Sequence, residues 1–288
     1  MSGAQGSDGP SPVDIGTEMR AAADFLSRPP PAAGSGRGAC TSDLSMDEEI
    51  ALHSIGWEPL QLVCGACLFS IPMGVWNWGQ GEIASASSAF AQAFEAASGR
   101  LHRQCARAGG HGVVGVHLDR VVGRHHVDIS LLGTAVRPVG AARVDDARVF
   151  LSDLSARDFT LLEAAGWRAL GLAVGASFVN APRRSIGTTL QQKSQNVELT
   201  NFTEAMYTAR EAAMERMQAS AIRMGGTGVV GVQVTEGPMD FAGHAVGFVA
   251  SGTVVALAGD AHRTLSPTMV LPLDDPVVAF DVTSLRGG

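Results

Sequence analysis

The sequence predicts an α+β chain made of two tandem β-α-β-β units, each a two-layer arrangement with one long helix on a small antiparallel sheet. Three observations predict it: a stretch of sequence that recurs, an apolar stripe of helical period in each copy, and β-type alternation directly after a glycine cluster.

The recurrence comes first because it organises the rest. Ser42-Asp43-Leu44-Ser45 returns as Ser152-Asp153-Leu154-Ser155, a separation of 110, and the same separation carries Gly56-Trp57 onto Gly166-Trp167, Gly65-Ala66 onto Gly175-Ala176 and Pro72 onto Pro182. After a six-residue insertion the separation becomes 116, and Gly109-Gly110-His111-Gly112-Val113-Val114-Gly115-Val116 returns as Gly225-Gly226-Thr227-Gly228-Val229-Val230-Gly231-Val232. A further shift to 119 brings Gly133-Thr134 onto Gly252-Thr253. Both shifts fall where loops are expected, and loops tolerate insertions.

In the first copy Ile83, Ala86, Phe90, Phe94, Ala97, Leu101, Cys105 and Ala108 lie three or four residues apart, on one stripe of a helix. The second copy repeats the stripe with Leu199, Phe202, Met206, Ala213, Met217, Ala221 and Met224. Gly109-Gly110 and Gly225-Gly226 then supply the positive φ that commonly ends a helix. Strands follow, because Val114, Val116 and Leu118 alternate with small or polar residues, as do Val127, Ile129 and Leu131. The last two strands form a hairpin around Gly123 in the first copy and Pro238 to Gly243 in the second, with Val116 expected opposite Ile129 and Leu118 opposite Val127.

The domain boundaries that follow are a disordered arm at 1–40, a first repeat at 41–140, a second at 150–258 and a tail at 259–288. The arm is rich in Gly, Ser, Pro and Ala, and this composition buries too little apolar surface to offset chain entropy. A short helix around Thr17 to Leu26 is either idle, the plainer reading, or a docking peptide for a protein partner. The tail holds Met269-Val270-Leu271 and Val277-Val278-Ala279-Phe280, apolar enough to pack on something.

A formal net charge of -7 and a single lysine, Lys193, exclude a nucleic-acid surface, which needs clustered cations. Charged residues make up only 17% of the chain, so little keeps copies apart and self-association is expected. The uncharged run Pro59 to Gly81 is interrupted by Gly65, Pro72, Gly74 and Gly79 and reads as a buried strand with a loop, not a membrane span. With four cysteines and a start lacking a basic-then-apolar leader, the expected compartment is the cytoplasm.

Two groups of residues could carry chemistry. Cys64-Gly65-Ala66-Cys67 has the spacing of half a zinc site or a thiol redox pair. The second copy has Val174 and Ser177 there, and residues three apart on a regular strand face opposite ways, so buried free thiols are the plainer alternative. In the pairing expected above, His117 faces Asp128 and Asp119 faces His126, an imidazole and carboxylate set suited to a divalent transition metal. The alternative there is a polar sheet face with paired charges, solvated or packed at a subunit contact. Gly110-X-Gly112-X-X-Gly115 matches a dinucleotide fingerprint, but a helix precedes it and a strand follows, the reverse of what pyrophosphate binding needs. No catalytic constellation is present: no nucleophile elbow and no paired acidic motif.

A helix of small and apolar residues running into Gly-Gly-X-Gly-Val-Val-Gly-Val, then a hairpin ending in Gly133-Thr134-Ala135-Val136, resembles the YbjQ-like heavy-metal-binding domain family, over 42–137 and again over 152–257. The resemblance implies a dodecin-subunit-like β-α-β-β unit that assembles into homo-oligomeric rings, often pentameric, without enzymatic activity. It supplies no ligand set. The leading expectation is therefore a non-catalytic, ring-forming module that binds a heavy metal or small ligand. A scaffold recruiting a partner through residues 1–40 and a Cys-X-X-Cys redox protein are the alternatives.

Overall fold

The computed structural model describes residues 41–71, 81–123, 125–180, 200–238 and 245–259. The expected arm at 1–40, the docking helix within it, most of the tail and the Pro238–Gly243 turn lie outside the described residues, apart from the backbone of Pro238.

The chain is mixed α+β, with two four-stranded sheets in one compact unit. Its elements are α1 (Met46–Ser54), β1 (Trp57–Ser70), β2 (Gly81–Glu82), α2 (Ala84–Ala108), β3 (Gly112–Val122), β4 (His126–Pro138), β5 (Phe150–Leu151), α3 (Ala156–Ala164), β6 (Trp167–Asn180), α4 (Thr200–Arg223), β7 (Gly228–Pro238) and β8 (Ala245–Leu257). The strand orders are β1-β4-β3-β5 and β2-β6-β8-β7.

The two sheets share a register. Trp57 pairs with Pro138 as Trp167 pairs with Leu257, and Gly112 pairs with Val136 as Gly228 pairs with Val255. Register shifts fall between Pro59 and Gln61 and between Ala169 and Gly171, and again between Val114 and His117 and between Val230 and Gln233. Positions related by the sequence recurrence therefore occupy the same places on the two sheets.

Each long helix sits where a glycine lets it approach. Val63, Gly65 and Cys67 point to the buried face of β1, and a Cβ at Gly65 would run into the Ala97 carbonyl and the Leu101 amide of α2. At Gly175 on β6 the obstacles are the Ala213 carbonyl and the Met217 amide of α4. The predicted stripe of α2 is the buried one, with Ala86, Phe90, Ala97, Leu101 and Cys105 in the core. On α4 it holds through Ala213, Met217 and Ala221, while Met224, just past the helix, is exposed and Leu199 lies outside the described residues. Gly109 and Gly225 take the expected positive φ, 83° and 74°. Arg100 donates to the Ala66 carbonyl as Arg216 does to the Ala176 carbonyl (2.6 Å), so an arginine on each helix bonds the long strand before it at the same place.

The short helices α1 and α3 were not expected. Their N-termini are the repeated Ser-Asp-Leu-Ser segments: the Ser45 amide donates to Glu48 Oε2 (3.0 Å), and the Asp158 amide donates to Ser155 Oγ (3.1 Å). The Ser-X-X-Glu spacing of a capping box was the available signal.

The expected hairpin register is corrected. Leu118 pairs with Leu131 and Val122 with Val127, so His117 lies opposite Leu132, Asp119 opposite Ser130, Asp128 opposite Val121, and His126 beside Ser70 of β1. The reason is the turn. β3 continues to Val122 and closes through Gly123, whose amide bonds the His126 carbonyl at 2.9 Å, and loop length fixes which residues face each other.

The halves exchange short strands and share a core. β5 lies parallel to β3, continued by bonds from the Val116 amide to the Ser152 carbonyl (2.9 Å) and from Gly115 to Leu154 (2.8 Å). β2 pairs with the end of β6. Meanwhile α2, already seated on the first sheet, presses its other side on the second: Phe90 meets Phe178 at 5.9 Å, and Leu172, Ala176, Phe178 and Val249 join its core. α4 packs on β6, β7 and β8, its own sheet.

Candidate functional site

Five of the six residues singled out from sequence share one surface. Cross-strand partners stand on the same face, so the rows Cys64–Leu132–His117, Ala66–Ser130–Asp119, Leu68–Asp128–Val121 and Ser70–His126 all project from the side of the first sheet away from α2. Cys67 points the other way, into the core. β1 runs without a register shift from Gln61 to Ser70, so nothing turns the two sulfurs toward each other, and both are free thiols.

Within that surface the structure brings together one pair, His117 Nε2 and Asp119 Oδ1 at 3.3 Å, both well exposed. Cys64 and His117 share a row but stand two strands apart, about 10 Å at ordinary strand spacing. Among the described residues no three His, Cys, Asp or Glu side chains converge as a metal site would require. Cys105 is buried, and burial pushes its thiol up to about 12, so it behaves as a core residue.

Beside this face a cavity of about 370 Å³ opens between the two sheets. Its wall mixes Asp43, Glu48, His117, Arg120, Thr134, Asp153 and Thr235. Arg120 crosses it, donating to Thr235 Oγ1 at 2.5 Å and so tying β3 to β7. Sequence reasoning missed the polar joint at its base. There the Asp153 amide donates to Thr253 Oγ1 (3.1 Å), Thr253 donates to Asp153 Oδ1 (2.5 Å), and Ser152 Oγ lies 2.9 Å from Thr253 Oγ1. Burial raises the Asp153 carboxyl above its ordinary range, against the hydrogen bond from Thr253. The first half has only part of this joint, the Asp43 amide donating to Thr134 Oγ1 at 3.1 Å. The recurrence of Ser-Asp at 42–43 and 152–153, with Thr134 and Thr253, was the signal for it. The joint holds a linker on a sheet.

Fold and site together define a mixed α+β chain with a polar joint inside its second half and Arg120 reaching from one sheet to the other. A family model described as "Putative heavy-metal-binding", of the YbjQ type, matches residues 172–258. The chain is also 33% identical over 241 residues to the encapsulin nanocompartment protein Rv1762c of Mycobacterium tuberculosis, covering 81% of this chain and 92% of that protein. It belongs to the family of that mycobacterial protein. No solved structure matches it. Among the described residues no helix is long and apolar enough to cross a membrane.

Proposed function

We propose that the chain is a non-catalytic, self-assembling module. In this reading, 41–140 and 150–258 are two YbjQ-like, dodecin-type units joined in tandem, and copies associate into a closed homo-oligomer in the cytoplasm. The observation that carries it is the first sheet's outer face, where Leu68, Val121 and Leu132 are exposed although Leu172, Ala176, Phe178 and Val249 on the matching face of the second sheet are buried against the core that holds α2. Exposed apolar surface of this kind marks a contact. The relative named for an encapsulin nanocompartment points the same way, toward assembly.

Heavy-metal binding is the second reading, favoured by the matched family's description and by the His117–Asp119 pair. In it a second copy would have to supply further ligands, because the two groups in contact are too few to hold a transition metal.

Native mass spectrometry of the purified chain, with elemental analysis of the same sample, tests both. A single oligomeric species at micromolar concentration is the expected result. A monomer there would overturn the assembly reading, and an oligomer that takes up no zinc, copper or cadmium would remove the metal reading alone.

A further inference from the structure

The contact between the two halves is directional, and each half keeps open the surface that the other has used. The first half gives α2 and the β3 edge; the second receives them with its sheet face and with the Phe150–Ser155 segment. The reciprocal surfaces are exposed. On the receiving side, Phe178 is 3% exposed but Leu68, 110 positions earlier, is 58%. Ala156 at the start of α3 is fully buried, yet Met46 at the start of α1 is 75% exposed. On the giving side, Val116 in the β3 bulge is 5% exposed and Val232 in the matching β7 bulge is 42%. β7 is a sheet edge, paired with β8 alone. Such an edge is a template for another strand.

We infer that a second copy of this chain completes the contact head to tail, resting on the self-assembly reading above: the Thr41–Met46 segment of one copy adds to the β7 edge of the next, and that copy's α4 covers the face bearing Leu68 and Leu132. Continuity with the joint inside the chain carries the inference. The shared register means that a surface fitting one half's edge fits the other's. The interface is heterologous, so it propagates until a ring closes. One pair opposes it. Glu236 takes the place of Arg120, and Asp119 that of Thr235, which sets two carboxylates facing each other beside His117.

Two surface variants test the geometry. Leu68→Arg spoils the receiving head and Val232→Arg the giving tail. Alone, each is expected to run as a monomer with unchanged circular dichroism. Mixed, they are expected to form a 1:1 dimer and nothing larger, since one good head and one good tail remain. Glu236→Arg, restoring the guanidinium found at 120, should tighten wild-type association at least about 3-fold.

If either arginine variant fails to fold, a cross-link replaces it. Ser42→Cys and Val232→Cys chains, co-expressed in a Cys40→Ser, Cys64→Ser background, should give a disulfide-linked dimer that neither gives by itself. A wild-type oligomer that both arginine variants still form, or cross-linking by one variant alone, overturns this interface and leaves self-assembly standing. A monomeric wild type overturns both.

Discussion

Arg216 on α4 grips the carboxylate of Glu82 with both ends of its guanidinium, Nη1 to Oε1 at 2.6 Å and Nη2 to Oε2 at 2.9 Å. The two residues are 134 positions apart, and the fork pins β2, from the first half, on the edge of β6 in the second. The same arginine bonds the Ala176 carbonyl, so one side chain fixes helix, strand and visiting strand together.

The first prediction concerns that fork. The arginine holds the Glu82 carboxyl below its ordinary range. Its contribution is therefore present above the ordinary glutamate range and is lost as pH falls through the lowered value. Glu82 is 33% exposed and Arg216 42%, so solvent screening limits Glu82→Gln to a cost of about 0.5–1 kcal/mol. Melting curves of wild type and variant should differ at pH 7 and draw together as acid protonates the carboxylate. A gap that persists in acid would show that the carboxylate is not the source.

Gly65→Ala and Gly175→Ala should each destabilise by about 1–3 kcal/mol, because the added methyl meets helix backbone that cannot rotate aside. Gly237→Ala meets nothing and is the control, expected to change little. Urea unfolding read by circular dichroism separates the three.

Thr253→Val should cost about 1–3 kcal/mol by leaving the Asp153 amide and Ser152 hydroxyl short of a partner. The pH dependence here has the opposite sign to that of Glu82. A carboxyl raised by burial favours folding most when protonated, so its contribution is present below the ordinary aspartate range and declines as pH rises through the raised value. Asp153→Asn should flatten that part of the stability profile, as a titration of melting temperature from pH 3 to 7 would register.

Of the three cysteines in the described residues, Cys64 alone is exposed. Brief alkylation of dilute chain, followed by peptide mapping, should label Cys64 well ahead of Cys67 and Cys105. At concentrations where copies associate, Cys64 labelling should slow, since it lies on the face bearing Leu68. Equal labelling of Cys64 and Cys67 would contradict the strand geometry that separates them.

How much of this was legible beforehand follows from the range of the interactions. The stripe from Ala86 to Cys105 and the glycines at 109 and 225 are local, and periodicity and φ preference located them. The hairpin register was not legible, because a connection of about four residues or of about eight before Val127 is compatible with the same alternation, and only the continuation of β3 to Val122 decides. The exchange of β2 and β5 between halves was invisible for a different reason. Each is two residues long, too short for any pattern, and exists only because a distant edge receives it. The candidate ligands do lie on strands, yet four depended on a register that moved, and Cys64 and Cys67 face opposite ways on a regular strand.

Joining two directional units by one linker has an arithmetic consequence. Every copy brings one giver and one receiver of each kind, so a loop closed through the surfaces described above contains an even number of units whatever its size. Were copies to join through the proposed surfaces, five-membered symmetry of single units would be closed to the chain, and ten units from five chains would be the smallest count to preserve it.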